Sequence, residues 1–204
     1  IPSSASHALA GGLIGAAWIS YGPEAVLLPG LLKIILALFL SPVLGMLAGF
    51  IIVRLLYMLA AGASPRINNA FRRGQLGMAV LLGVSHGSND AQKTMGLITL
   101  GLVATGTLDH FYVPFWVMAA SAAAIAAGTL FGGQRTIRTV GRKYYHIRPV
   151  HGFGAQAASS LVVLVAGLFG GPVSTSHVVS SAIVGAGSAE RVQMIRWKVA
   201  ERIL

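Results

Sequence analysis

The stretch Ser85-His86-Gly87-Ser88-Asn89-Asp90-Ala91-Gln92-Lys93-Thr94-Met95-Gly96 is a dense polar block set between two lipid-like runs, Leu76 to Val84 and Leu97 to Thr105. A single straight helix from Leu76 to Leu108 would run about 50 Å at about 1.5 Å per residue, against a bilayer core of about 30 Å. The spacing therefore predicts a membrane-crossing helix, 76–108, that is broken in its middle. Polar groups at that depth are costly in lipid and persist where they face protein, water or a bound ion. The block is thus the first candidate for a functional site.

Working outward, the composition agrees with a membrane setting. Hydrophobic residues make up 55% of the 204, charged residues only 10%, and the mean hydropathy is +0.75. Soluble domains carry about a quarter charged residues. A net charge of +10 would point to nucleic acid in a soluble protein. Here the cations fall in short segments between apolar spans: Arg66, Arg72 and Arg73; Arg135, Arg138, Arg142, Lys143 and Arg148; Arg191, Arg196, Lys198 and Arg202. Twelve of the fifteen basic residues thus share one predicted side, the positive-inside pattern, and a nucleic-acid partner is set aside. Trp18, Tyr21, Tyr112 and Trp116 fall near the outer boundary, and Tyr144, Tyr145 and Trp197 near the inner one. The chain has no cysteine, which excludes disulfides and thiolate metal sites.

The ends of the chain repeat each other. Residues 1–16, IPSSASHALAGGLIGA, align without gaps on residues 171–186, GPVSTSHVVSSAIVGA, at an offset of 170. The identities are Pro2/Pro172, Ser4/Ser174, Ser6/Ser176, His7/His177, Gly15/Gly185 and Ala16/Ala186. An odd number of crossings separates the copies, so they have opposite orientation, the plan of inverted-repeat secondary transporters. The expected architecture is an all-α integral membrane protein, an inverted-repeat transporter with a broken transmembrane helix and re-entrant helical hairpins. Residues 1–60 close an N-terminal repeat, with a long span kinked at Ser41-Pro42 and packed through Gly45 and Gly49. A cytoplasmic basic loop follows at 61–75. The C-terminal repeat, 76–204, holds the broken helix, a span at 111–133, a basic loop at 134–150, a hairpin at 154–187 and a basic tail at 188–204.

Both copies of the motif are hydroxyl-rich tips that precede helices. Side-chain hydroxyls and free N–H groups then point at one place, and the positive end of the helix dipole favours an oxyanion. Ser174, Thr175 and Ser176 form one half of the expected substrate site, Ser3, Ser4 and Ser6 the other, and Gln92 lies near the break. Asp90 needs a cation, a proton or a pairing with Lys93 three residues on. Ser88, Asn89 and Asp90 are the candidates for a coupling ion, because their oxygens suit a hard monovalent cation, and an ion there would improve the site for an anion. His7 and His177 are expected to brace the hairpins, and His86 to be a buried hydrogen-bonding histidine.

The block Ser85–Gly96 and the paired Pro2–His7 and Pro172–His177 segments resemble the signatures of the inorganic phosphate transporter (PiT) family, and the resemblance runs along essentially the whole chain. It implies uptake of inorganic phosphate coupled to sodium or protons, two inverted halves, and a homodimer in the plasma or inner membrane, without a further cofactor. It places Asn89 and Asp90 in the centre for coupling ion and substrate, with Asn89 and Asp90 as ligands if the ion is sodium. On the same resemblance, an upstream counterpart of the Asn-Asp block is expected before Ile1, and a last span after Leu204. A close alternative keeps the architecture and changes the anion to sulfate or another oxyanion; further readings are an anion channel, or a hydrolase using Ser85 or Ser88 with His86 and Asp90. The hydrolase is disfavoured because catalytic groups converge by geometry, not by adjacency in sequence.

Overall fold

The computed structural model describes residues 4–143, 147–171, 173–190 and 193, with the side chains of 133–143 not among them. Pro2, Ser3 and Pro172 of the two motifs, and most of the basic tail, lie outside the described residues. The described chain is helical, without strands. Its helices are α1 (Ala5–Tyr21), α2 (Leu28–Leu59), α3 (Ile67–Ala104), α4 (Phe115–Lys143), α5 (Pro149–Leu168) and α6 (Thr175–Ser188), with a 3₁₀ turn at Pro23–Ala25. Leu28–Leu59, Phe115–Gly132 and Pro149–Leu168 are each long and apolar enough to cross a membrane.

The exposed and buried surfaces are chemically reversed relative to a water-soluble bundle. Leu36, Phe39, Leu59, Phe115 and Phe131 point outward, whereas Ser41, Ser85, Ser121, Ser159, Ser160 and Ser181 are almost fully enclosed. Lipid takes the large side chains, so packing between helices falls to small residues. Helix α6 sits inside this arrangement against α2 and α5, and α5 in turn packs on α3. A Cβ on Gly45 would strike Ser181 and the backbone of Val178. One on Gly49 would strike the backbone of Ala182, and one on Gly185 the backbone of Met46. The expected role of Gly45 and Gly49 is met: they let the α2 and α6 backbones touch.

Helix α6 has 14 residues, about 21 Å at about 1.5 Å per residue, short for a bilayer core of about 30 Å. It forms a hairpin with α5 through a tight turn. The Gly171 N–H donates to Ala166 O at 2.8 Å and the Gly170 N–H to Gly167 O at 3.2 Å, while Gly170 takes φ +63°. This is the helix-ending motif that needs a residue without Cβ at the left-handed position.

Three expectations about helix boundaries change. The break predicted within 76–108 is absent: α3 is one continuous helix of 38 residues through the whole polar block. The polar side chains settle their needs without opening the backbone. Ser85 Oγ donates to Leu81 O at 2.7 Å and Thr94 Oγ1 to Asp90 O at 3.2 Å, His86 pairs with Asp90 on the same helix, and Asn89 and Lys93 bond across to neighbouring segments. Helix α3 also starts at Ile67, so the segment with Arg72 and Arg73, expected as loop, forms its first turns. Likewise α4 runs on to Lys143, into the stretch expected as a basic loop. At Pro42, α2 continues on both sides. Proline leaves the carbonyl four residues back without its donor, and the Ser41 Oγ supplies one to that carbonyl, Leu38 O, at 3.1 Å.

Candidate functional site

The two copies of the repeated motif meet. Helices α1 and α6 begin at equivalent positions, Ala5 and Thr175, behind equivalent caps. Ser4 has φ −85° and ψ 106°, and Ser174 has φ −88° and ψ 104°, so the backbone turns into both helices in the same way. The His7 and His177 rings face each other with centroids 5.3 Å apart, as expected of a brace. Ser6 Oγ donates to Val173 O at 3.1 Å, directly tying one tip to the other.

Helix α3 closes the third side with its polar block. Asn89, 5% exposed, donates to Thr175 Oγ1 at 3.0 Å, to Val173 O at 3.4 Å and to its neighbour Asp90 Oδ1 at 3.2 Å. Lys93 Nζ donates to Val173 O at 2.7 Å, Ser6 Oγ at 2.8 Å and Asp90 Oδ1 at 3.1 Å. The other carboxylate oxygen, Asp90 Oδ2, pairs with His86 Nε2 at 2.9 Å. His86 itself is exposed, a correction to its expected burial, because it sits on the outer flank of Asp90.

The two caps are used differently. Ser4 Oγ accepts from the His7 N–H at 3.2 Å and lies 2.6 Å from His7 Nδ1, so it is committed to its own helix. Ser174 makes no such cap bond, and its buried Oγ has no hydrogen-bond partner. A hydroxyl enclosed and unpaired costs about 1–3 kcal/mol. The α6 tip therefore offers an unspent hydroxyl beside uncapped N–H groups, with Ser176 half-buried on the same first turn. The positive helix end and these donors together favour a small oxyanion.

Ser6, Asn89, Asp90 and Thr175 are thus joined in one hydrogen-bonded network with Lys93 and Val173, while Ser4, Ser174 and Ser176 lie at the starts of the two helices that carry it. Two expected members do not join them. Ser88 and Gln92 are both exposed, one helical turn apart on α3, and Ser88 lines a groove of about 580 Å³ between α3 and α4. With α3 unbroken, only the stripe of Asn89 and Lys93 is aimed at the tips. Two polar features of the fold were not legible beforehand. One is the backbone carbonyl of Val173, on which Ser6, Asn89 and Lys93 converge. The other is a polar cluster where α2, α5 and the end of α6 meet. There Tyr57 Oη lies 2.9 Å from His151 Nε2 and 3.3 Å from Glu190 Oε2, and Arg148 pairs with Glu190 at 2.8 Å. The scarcity of acids in the chain was the one signal that could have singled out Glu190.

Comparison with known proteins adds independent support. The chain is 42% identical to a probable low-affinity inorganic phosphate transporter of Rhizobium meliloti (strain 1021) and 41% identical to one of Bacillus subtilis (strain 168). Each alignment covers 100% of this chain and 62% of the relative, so the chain spans about three-fifths of their length. Both names describe transporters, not enzymes. A solved structure described as the sodium-dependent phosphate transporter superposes with a TM-score of 0.84 over 99% of this chain and 68% of that one, at 23% identity, which establishes a shared fold. The sequence model of the phosphate transporter family matches residues 1–63 and 59–204, the whole chain, and with the two tips and the Asn-Asp helix assembled as described, this multi-pass membrane chain belongs to that family.

Proposed function

We propose that the full-length protein carrying this chain moves inorganic phosphate across the plasma or inner membrane, driven by a sodium or proton gradient, with phosphate held where the α1 and α6 tips meet α3. The observation that carries this reading is the unpaired, buried Ser174 hydroxyl at the uncapped N-terminus of α6, facing a repeat-related tip. The names of the relatives support phosphate as the anion. An inverted repeat is part of the reading. Its support is the matched backbone at Ser4 and Ser174 and the contact of His7 with its own equivalent, His177. Equivalent residues touch one another only near the axis that relates two repeats, and that axis is where inverted-repeat transporters hold their substrate. The homodimer belongs to the same reading through the family resemblance.

The test is uptake of labelled phosphate by vesicles containing the full-length protein, with sodium and pH gradients imposed separately. Accumulation that follows one gradient, resists excess sulfate and is lost in Asp90→Asn is the expected result. Flux indifferent to both gradients would indicate a channel, and equal competition by sulfate a broader oxyanion permease. Undiminished gradient-driven uptake by Asp90→Asn would remove this centre from the mechanism.

A further inference from the structure

We infer that Lys93 is a tethered cation: its ammonium permanently fills the oxygen-lined seat made by Asp90, Ser6 and Val173, so that sodium does not bind at this seat. The inference deepens the transport reading and rests on it for its meaning, since it concerns which ion can be used at this centre.

The argument starts from the atoms around Nζ. A lysine ammonium carries three donors and no acceptor. All three are used, each on an oxygen of a different kind: a carboxylate oxygen of Asp90 at 3.1 Å, the hydroxyl oxygen of Ser6 at 2.8 Å and the backbone carbonyl oxygen of Val173 at 2.7 Å. The three oxygens come from three separate segments: α3, the first turn of α1 and the non-helical residue before α6. Carboxylate and carbonyl oxygens suit hard cations, and carbonyls of non-helical backbone coordinate coupling ions in inverted-repeat transporters. Here the cation is covalently part of the chain.

Two consequences follow from its charge and position. Asp90 is neutralised from within, by Lys93 on Oδ1 and with His86 beside Oδ2, so it has no need of an ion from solution. A sodium ion placed among the same three oxygens would meet a like charge at hydrogen-bonding distance, a juxtaposition that costs several kcal/mol. The side chain of Lys93 is only 15% exposed, so solvent does little to screen that repulsion. Lys93 also ties both tips to α3. A second role follows: the ammonium holds the two hydroxylated tips together whether or not an external cation is present.

The decisive experiment counts sodium, with labelled sodium in equilibrium binding to the purified full-length protein. Lys93→Gln removes the charge but leaves the Asp90, Ser6 and Val173 oxygens in place. The expected result is one more sodium bound per chain than in the parent, with the extra site lost again in Asp90→Asn/Lys93→Gln and not created by Lys93→Arg. An unchanged count in a folded Lys93→Gln protein overturns the inference. Should that variant fail to fold, Asp90→Asn alone decides it: an unchanged sodium count supports a seat already filled, and the loss of one sodium overturns it. The count does not depend on transport. A parent protein that takes up no phosphate under any gradient defeats the transport reading while the sodium count still decides the seat.

Discussion

Replacing Asn89 by alanine removes the one side chain that, among the described residues, bonds α3 to a side chain of the α6 tip. Asn89 is 5% exposed and donates to Thr175 Oγ1 at 3.0 Å, with a longer contact to Val173 O at 3.4 Å and one to the Asp90 carboxylate at 3.2 Å. A neutral hydrogen bond contributes about 0.5–1.5 kcal/mol net and one to a charged group about 1.5–3 kcal/mol. The contact with Asp90 is between sequence neighbours and partly exposed, so the lower ends apply, and Asn89→Ala should cost about 2–3 kcal/mol. The share owed to Thr175 can be isolated, because Thr175→Val keeps the shape and removes only the hydroxyl. Interhelical hydrogen bonds in membrane proteins couple by about 0.6 kcal/mol on average and reach about 1.7 kcal/mol. With a 3.0 Å distance and both residues buried, a coupling of about 1 kcal/mol is expected for this pair. The assay is reversible unfolding of the full-length protein in mixed micelles by added dodecyl sulfate, run as a double-mutant cycle over Asn89→Ala and Thr175→Val. A coupling within about 0.3 kcal/mol of zero, the level expected of independent sites, would refute the docking of α3 on this tip.

The two caps give a contrasting pair. Ser4→Ala deletes a cap bond and should lower stability by about 1 kcal/mol, with a lesser effect on phosphate binding. Ser174→Ala breaks no bond within the protein. Because it also removes a buried, unpaired hydroxyl, its stability should rise by about 1–3 kcal/mol over the parent, while phosphate affinity falls about tenfold, the loss of one hydrogen bond to a charged ligand. Equilibrium binding of labelled phosphate beside the micelle unfolding assay checks both, and unchanged affinity in Ser174→Ala would make the tip purely structural. Gly49→Val sets a branched side chain against the Ala182 backbone, which cannot turn aside. It should destabilise by about 1–3 kcal/mol as α2 and α6 are forced apart, read as a lower dodecyl sulfate midpoint.

A large part of this architecture is visible in the one-dimensional pattern. The apolar spans, the one-sided distribution of Arg and Lys and the Pro-x-Ser-x-Ser-His repeat are chemical properties of the chain itself, and lipid reads them directly. The same holds for Gly45 and Gly49, since a missing Cβ has a packing meaning in a membrane whatever lies opposite. The continuity of α3 belongs to the tertiary structure. Whether Ser85–Gly96 must open its backbone depends on what partners its side chains find, and the partners of Asn89 and Lys93 lie 80 to 87 residues away, on the tips. For the same reason Ser88 and Gln92 could not be separated from Asn89 and Lys93 before the helix had a definite phase against α6. The roles of Val173, a residue with no polar side chain, and of the orphaned Ser174 hydroxyl were likewise undetectable in sequence. A carbonyl becomes a site, and a hydroxyl becomes unpaired, only when folding decides which other atoms come within reach.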